Sequence, residues 1–249
     1  KIISNFAVGF GNIDIIAARK KNIIVTNTPD VLTDATAEIA ILILLGAARR
    51  AKEGIEWANK KNWKWSADFL TGKQLTGARL GILGMGRIGR AVADKAKSFG
   101  MIIHYHNRSQ LNKNLEKGAI YHDTLESLLS VSDFFSINCP ATKETKHIIN
   151  KETLKHFPKG AVLSNSARGD MIDDEAMIES LKNGKIFSLG IDVYNGEPNI
   201  HPEYLKLPNV FVLPHLGSAT VTTRTAMGNL AVSNLEEFFK TGKCKNTVN

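Results

Sequence analysis

Short apolar segments alternate with segments of helical periodicity through most of this chain. Strand-like runs occupy residues 79–83, 101–106, 133–139, 161–165, 187–193 and 210–213, and helical patterns separate them. Alternation of this kind is typical of a parallel sheet with helices on both faces. The pattern therefore predicts an α/β fold, with a Rossmann-type doubly wound parallel sheet.

The helical patterns also indicate how the chain is divided. One helix is marked at both ends, with Asp173 as its N-cap and Gly184 just beyond its last turn. Longer helical patterns at 33–59 and 218–240 flank the strand-rich block. The predicted parts are one large domain over residues 44–214 and a second, smaller unit made of residues 1–43 and 215–249.

Residues 81–89 join a predicted strand to a predicted helix through a glycine-rich turn. Gly84 permits the tight turn, Gly86 lets the backbone approach a pyrophosphate, and Gly89 lets helix and strand pack closely. The free N–H groups at the helix start favour an anion. Such a motif alone is weak evidence, but a strand before it, a helix after it and a second strand at 101–106 predict a dinucleotide-binding domain.

The choice of dinucleotide depends on the residues just after that second strand. NAD enzymes usually carry an acidic residue there, which binds the ribose hydroxyls. This chain has Asn107, Arg108 and Ser109 instead. Arg108 and Ser109 would hold a 2′-phosphate, with Arg87 of the glycine-rich turn assisting. We therefore predict NADP rather than NAD, the alternative being an exposed Arg108 that contacts nothing.

Arg168, Glu197 and His215 are the candidate reactive residues, because each stands shortly after a predicted strand. In open α/β sheets ligands bind at the carboxyl ends of the strands. An arginine fork holds a carboxylate and polarises a ketone, and a histidine donates a proton near neutral pH. A carboxylate beside the imidazole favours its protonated form and orients the ring. The set suits hydride transfer to the carbonyl of a 2-oxo acid.

Together these segments resemble the D-isomer-specific 2-hydroxyacid dehydrogenases, and most of all their glyoxylate/hydroxypyruvate reductase branch. The motifs that carry the resemblance are Gly84-x-Gly86-x-x-Gly89, Ala167-Arg168-Gly169, Gly196-Glu197-Pro198 and Pro214-His215-x-Gly217-Ser218-Ala219. The resemblance implies that Arg168 binds substrate, that Glu197 supports His215, and that His215 is the acid and base. It implies that the protein reduces a small 2-oxo acid, with glyoxylate and hydroxypyruvate as the leading candidates.

The resemblance implies further contacts. Val8 and Gly9 lie in a loop whose backbone N–H groups would receive the substrate carboxylate, and Thr36 would contact the phosphate side of the cofactor. Asp192 would contact the nicotinamide carboxamide. The other implied cofactor contacts are Ile88, Cys139, Pro140, Thr145, Ser166, Ala167, Arg168, His215 and Gly217.

In the resembled family much of the substrate domain precedes the point at which this chain begins. Residues 1–43 would then be a remnant of an incomplete flavodoxin-like substrate domain, and residues 215–249 would return to it. We therefore expect this sequence to be a piece of a longer protein.

The composition and charge of the chain limit the classes of ligand and partner that we expect it to bind. The formal charge of +8 comes from scattered lysines and arginines without interleaved aromatics, which argues against nucleic acid and for an anionic substrate. No apolar run reaches the ~18 residues of a membrane span. Cys139 and Cys244 lie far apart, as expected in a reducing cytoplasm. Six of the seven histidines have no motif around them, and no metal site is expected.

Trp57, Trp63 and Trp65 follow the first long helical pattern. They would either pack the end of that helix or form a contact between two copies, because aromatics are enriched in interface cores. The resembled enzymes are usually homodimers, so we expect a homodimer.

Two other functions remain open at this point. One is a different enzyme of the same fold, such as a phosphoglycerate dehydrogenase or another D-2-hydroxyacid dehydrogenase. The other is a dinucleotide-sensing binding protein like the transcriptional corepressors built on this fold, which also retain the Arg-Glu-His set. Turnover with a panel of 2-oxo acids discriminates these functions.

Overall fold

The structure is a computed structural model that describes residues 1–60 and 62–249. It contains two compact units. Unit 1 consists of Lys1–Thr36 and Ser218–Asn249, and unit 2 of Ala37–Gly217. The first division between them falls inside helix α2 (Thr33–Ala48), as does the predicted boundary after residue 43.

Unit 2 is built on a parallel sheet of seven strands in the order β5-β4-β3-β6-β7-β8-β9. This confirms the predicted doubly wound sheet. The strands are β3 (Arg79–Leu83), β4 (Ile102–His106), β5 (Ile120–His122), β6 (Phe134–Ile137), β7 (Ala161–Asn165), β8 (Ile186–Ile191) and β9 (Val210–Val212). The sequence pattern missed β5, because this edge strand has only three residues and two of them are polar or amphipathic.

Residues that alternate along the central strands enter cores on opposite faces of the sheet. Phe135, Leu163 and Leu189 belong to one buried cluster. Phe134 and Val162 belong to the other. Burial on both faces explains why these strands are nearly continuous apolar runs. The centre of the sheet is therefore buried on both faces.

The helices of unit 2 cover these two faces. They are the larger part of α2, then α3 (Ala51–Ala58), α4 (Arg87–Ser98), α5 (Lys113–Glu116), α6 (Leu125–Val131), α7 (Lys151–His156), α8 (Asp174–Lys182) and α9 (Pro202–Lys206). Helix α8 begins as predicted, with the Asp173 carboxylate accepting the N–H of Ala176 at 3.1 Å. On the sheet side of α2, a Cβ on Gly190 of β8 would overlap the Ile43 carbonyl oxygen, so only glycine permits this close packing.

The predicted single helix over 33–59 is wrong, because the chain forms two helices there, α2 and α3. Arg50, between them, has a left-handed φ of 55° that no continuous helix allows. Its guanidinium pairs with Glu53 in the first turn of α3 at 2.6 Å. A local change of backbone conformation therefore interrupts a pattern that is helical on both sides.

Unit 1 contains a pair of parallel strands, β1 (Ile2–Ser4) and β2 (Ile24–Thr26), with helices α1 (Ile15–Lys20) and α10 (Val221–Thr241). The Ser4 hydroxyl donates to the carbonyl of Ala231 in α10 at 2.8 Å, which ties strand and helix together. Among the helices of the described chain, none is both long enough and apolar enough to cross a membrane.

Candidate active site

The glycine-rich turn lies between β3 and α4, as the sequence predicts. Gly84 has a left-handed φ of 92°, and a Cβ there would lie 2.5 Å from the Cys139 nitrogen. A Cβ on Gly89 would overlap the Gly84 carbonyl oxygen. Gly84 and Gly89 are therefore required by the protein's own packing.

Gly86 differs from the other two glycines of the motif. It is the N-cap of α4, its φ of −72° suits any residue, and a Cβ there would meet no described atom within 4 Å. The space in front of it is open, and the first N–H groups of α4 lie beside it. These are the features of a cradle for the pyrophosphate of a dinucleotide. Arg87 and Ile88 form the first turn of the helix behind it.

The turn stands at the switch point of the sheet, where β4 lies on one side of β3 and β6 on the other. The Asn138 N–H donates to the Leu83 carbonyl at 2.8 Å, so β3 and β6 remain paired up to the turn. Cys139 and Pro140 follow directly. Burial raises the pKa of the Cys139 thiol to about 11, which keeps it neutral.

Asn107 connects the glycine-rich turn to the end of β4. Its side-chain oxygen accepts the N–H of Met85 at 2.7 Å. Arg108 and Ser109 follow it and are exposed. The pKa of Glu144 is lowered, chiefly by a hydrogen bond with Thr142 and to a smaller extent by the charge of Arg108.

The segment after β6 is folded by its own polar side chains. The Thr145 hydroxyl donates to the Pro140 carbonyl at 2.9 Å and accepts the Thr142 N–H at 2.7 Å. Thr145 and Pro140 are thus part of one loop at the same edge as the glycine-rich turn.

Asn165, the last residue of β7, sets the conformation of the segment that carries Arg168. It is fully buried; its amide donates to the Arg168 carbonyl at 2.7 Å, and its side-chain oxygen accepts the Ala167 N–H at 3.0 Å. Ser166, Ala167 and Arg168 are half-buried behind it. Sequence reasoning gave Asn165 no role, although an asparagine that ends an otherwise apolar strand is a usable signal.

The Arg168 segment packs directly on the segment that carries Glu197. A Cβ on Gly169 would overlap the backbone of Tyr194 and Asn195, so glycine is required at this contact. The backbone N–H of Tyr194, at the same contact, donates to Glu197 Oε1 at 3.1 Å. The two loops are therefore adjacent at the level of their backbones.

His215 and Glu197 form the central pair of the site. His215 Nδ1 lies 2.6 Å from Glu197 Oε2, and the histidine side chain is about half exposed, at 52%. His215 has a left-handed φ of 56°, a backbone conformation that is uncommon for a residue other than glycine. Within the described residues, Nε2 has no recorded hydrogen bond. One ring nitrogen is therefore oriented by a carboxylate, whereas the other makes no hydrogen bond within the described residues.

Asp192, the residue after β8, holds the turn that contains His215. Its two carboxylate oxygens accept the N–H groups of Leu216 at 2.7 Å and Gly217 at 2.9 Å, and its carbonyl accepts the His215 N–H at 2.9 Å. Burial raises the pKa of this carboxyl group, and the two backbone donors oppose that rise. Asp192 therefore links the end of β8 to the end of β9.

In unit 1 the predicted anion loop is held by its carbonyls. The Asn27 amide donates to the Val8 carbonyl and the Asn5 amide to the Gly9 carbonyl, both at 2.9 Å. Over 1–60 and 62–249, no hydrogen bond is recorded for the N–H of Val8 or Gly9. Thr36 is buried in the first part of α2.

The structure thus gathers the glycine-rich turn, Arg168, Asp192, Glu197 and His215 in unit 2, whereas Val8, Gly9 and Thr36 lie in unit 1. The described residues contain no group of three or more His, Cys, Asp or Glu side chains placed to hold a metal ion.

Comparison with known proteins gives consistent matches. The family model for the D-isomer specific 2-hydroxyacid dehydrogenase NAD binding domain matches residues 41–217. Glycerate dehydrogenase of Hyphomicrobium methylovorum is 43% identical over 96% of this chain and 75% of its own length. Glyoxylate reductase of Thermococcus litoralis is 45% identical over 100% of this chain and 77% of its own length.

Solved structures agree. The NADPH-dependent glyoxylate/hydroxypyruvate reductase of Sinorhizobium meliloti, solved with NADP and malonate, superposes with a TM-score of 0.91 at 36% identity, covering 100% of this chain and 77% of the other. The family model spans more than half of the chain, and the relatives are matched over about three quarters of their length. The chain therefore belongs to the D-isomer specific 2-hydroxyacid dehydrogenase family.

Proposed function

We propose that this protein reduces a small 2-oxo acid, glyoxylate or hydroxypyruvate foremost, to the corresponding 2-hydroxy acid with NADPH as the hydride donor. The observation that carries the proposal is the His215–Glu197 pair, 2.6 Å long, at the same sheet edge as the glycine-rich turn. Relatives named glyoxylate reductase and glycerate dehydrogenase support this substrate class.

The dinucleotide would be held by the glycine-rich turn. Its pyrophosphate fits the open space at Gly86 and the N-terminus of α4, where backbone N–H groups and the helix dipole favour negative charge. A nicotinamide dinucleotide supplies a hydride to the substrate carbonyl carbon when bound. Asp192 and the loop that contains Cys139, Pro140 and Thr145 would line the nicotinamide side.

His215 would supply the proton. With Nδ1–H directed to Glu197, the protonated imidazole donates its Nε2 proton to the carbonyl oxygen of the substrate as that oxygen gains charge. The C=O bond becomes C–OH, and a neutral imidazole remains. In the oxidation of a hydroxy acid, the same nitrogen accepts the hydroxyl proton.

Arg168 would bind the substrate and polarise its ketone. Its planar guanidinium matches a carboxylate and a carbonyl oxygen on the same small molecule. The N–H groups of Val8 and Gly9 would receive the substrate carboxylate. This role is supported by two observations: the Asn27 and Asn5 side chains hold the loop through the Val8 and Gly9 carbonyls, and within the described residues the N–H groups of Val8 and Gly9 make no hydrogen bond.

NADP is proposed over NAD. The Asn107 side chain already accepts the Met85 N–H, and the next two residues, Arg108 and Ser109, are exposed and offer a cation and a hydroxyl. No acidic residue occupies this segment to bind ribose hydroxyls or to repel a phosphate. The Sinorhizobium meliloti relative was solved with NADP.

A homodimer is proposed from the aromatic cluster formed by the end of α3 and the residues that follow it. Trp57 and Trp63 both pack on Phe69: the distance between ring centroids is 5.6 Å from Trp57 to Phe69 and 5.9 Å from Trp63 to Phe69. The Lys60 Nζ lies 4.0 Å from the centroid of the Trp57 ring. Trp65 remains 78% exposed. A second copy of the chain would cover this cluster, because aromatic side chains are enriched where interfaces exclude water.

Free cysteines favour the cytoplasm as the compartment.

Replacing Gly86 by alanine should weaken dinucleotide binding without unfolding the protein. The added methyl group meets no described atom, but it fills the space required by the pyrophosphate. We expect the Kd for NADPH to rise about tenfold or more, measured by fluorescence titration, with little change in thermal unfolding. Gly54→Ala, which is also unhindered but lies in α3, should leave the Kd unchanged. An unchanged Kd for Gly86→Ala would exclude the cradle.

Replacing Arg108 by alanine should discriminate the two cofactors. Loss of a charge-assisted contact to the 2′-phosphate should raise the KM for NADPH about 10- to 100-fold, while the KM for NADH changes by less than about twofold. Lys113→Ala on the nearby α5 removes the same charge and serves as the control. Equal effects of Arg108→Ala on both cofactors would refute the NADP proposal.

Replacing His215 by glutamine should lower kcat by about 10²- to 10⁴-fold and leave the Kd for NADPH nearly unchanged. His156→Gln, an exposed histidine on α7, is the matched control. NADPH oxidation is followed with glyoxylate, hydroxypyruvate, pyruvate and phosphohydroxypyruvate. Wild-type turnover in His215→Gln contradicts the acid/base role.

The same panel separates the alternative functions. Turnover of phosphohydroxypyruvate alone would indicate a phosphoglycerate dehydrogenase. Tight dinucleotide binding by the full-length protein without turnover of any acid would indicate a dinucleotide-sensing binding protein.

The dimer is tested by sedimentation velocity. The wild type should sediment at twice the chain mass of 27.3 kDa. The double variant Trp63→Glu/Trp65→Glu should shift towards the single chain, because it places charge in the proposed interface. Phe239→Glu, an equally exposed aromatic on α10, should remain dimeric. A wild type that sediments as a single chain contradicts the proposal.

A further inference from the structure

We propose that Asp174, in the first turn of α8, is a positioning residue for the Glu197–His215 pair. This proposal rests on the proposed function. Asp174 Oδ2 accepts the Asn195 side-chain amide, and Asp174 Oδ1 accepts the Tyr204 hydroxyl, both at 2.9 Å. One carboxylate thus holds two points of the loop that carries Glu197.

The two donors lie on opposite sides of Glu197 in the sequence. Asn195 precedes it, at the start of the loop after β8, and Tyr204 follows it, inside α9. Asp174, which belongs to a different element, α8, therefore joins the two ends of the loop. The Asn195 amide also donates to the carbonyl of Ile172, at 3.4 Å, so the loop start is fixed to the entry of α8 by two acceptors.

The fixed end of the loop is connected to the reactive pair through the backbone. Tyr194, adjacent to Asn195, donates its N–H to Glu197 Oε1 at 3.1 Å, and the other oxygen of Glu197 lies 2.6 Å from His215. On its other side the same backbone abuts Gly169. A substitution of Asp174 would therefore change the orientation of the Glu197 carboxylate. It would leave the proposed cofactor contacts in place, because Asp174 is connected to Glu197 through Asn195 and Tyr194.

Tyr204 is suited to this task because it is 1% exposed and remains a donor. Burial raises the pKa of its hydroxyl, and the neighbouring Asp174 raises it further. A buried hydroxyl without an acceptor is costly, so the side chain of Tyr204 selects the loop position in which Asp174 is within reach.

Glu175, the next residue, offers a matched comparison. It lies in the same first turn of α8 and carries the same charge, but its side chain is 83% exposed and faces His201 at 3.2 Å. Loss of either carboxylate removes the same favourable interaction with the helix dipole. Of these two residues, Asp174 contacts donors on both sides of Glu197, whereas Glu175 contacts His201 alone among the described pairs.

Asp174→Asn keeps the size of the side chain but directs an amide N–H₂ at one of the two donors. We expect kcat for reduction of the preferred 2-oxo acid to fall about tenfold, with the Kd for NADPH unchanged within about twofold. Glu175→Gln should leave both quantities unchanged. Tyr204→Phe, which removes a single donor, should give a smaller loss of kcat and guards against a folding defect in Asp174→Asn.

A double-mutant cycle with Glu197→Gln distinguishes positioning from general destabilisation. In the Glu197→Gln background, Asp174→Asn should lower kcat by less than about twofold, because the carboxylate that it orients is already absent. The same tenfold loss in both backgrounds would overturn the proposal, as would full kcat in Asp174→Asn. An active wild type that loses turnover in His215→Gln upholds the proposed function independently. A full-length wild type without turnover overturns both.

Discussion

All seven strands of unit 2 run in the same direction, and the candidate site depends on this constraint. Parallel strands need crossover connections, so every strand of the sheet ends at the same edge. The glycine-rich turn follows β3, Arg168 follows β7, Glu197 follows β8 and His215 follows β9. Residues more than a hundred positions apart therefore share one edge without any motif that joins them in sequence.

The loops at that edge are held in place by buried polar side chains at or just after the strand ends. Asn165 holds the Arg168 segment, and Asp192 binds the backbone donors of the His215 turn. An unpaired backbone donor beside the core of the sheet is costly, so each of these side chains favours one loop conformation. Asp174 extends the same principle, because its carboxylate lies on a helix and binds side chains at both ends of the Glu197 loop.

The accuracy of the sequence-based fold varied with the physical origin of each element. The central strands were predicted because burial on both faces makes them apolar throughout, as for Phe134 and Phe135. Edge strand β5 lacks that signal. The break between α2 and α3 was missed because apolar periodicity does not encode the left-handed φ of Arg50. The capped start of α8 was predicted because capping involves only neighbouring residues.

The glycine spacing, the strand before it, the helix after it and the order of the Arg168, Glu197 and His215 motifs can all be read from the amino-acid sequence alone. These features are local, and local conformational preferences and residue chemistry are sufficient to specify them. The three-dimensional structure adds that Gly86 is open while Gly84 lies against Cys139, and that Asp174 binds Asn195 and Tyr204. It also gives the expected Glu197–His215 pair its geometry, with Nδ1 of the histidine 2.6 Å from the carboxylate. Those contacts join segments that are separate in the chain, and the order of strands in the sheet brings them together.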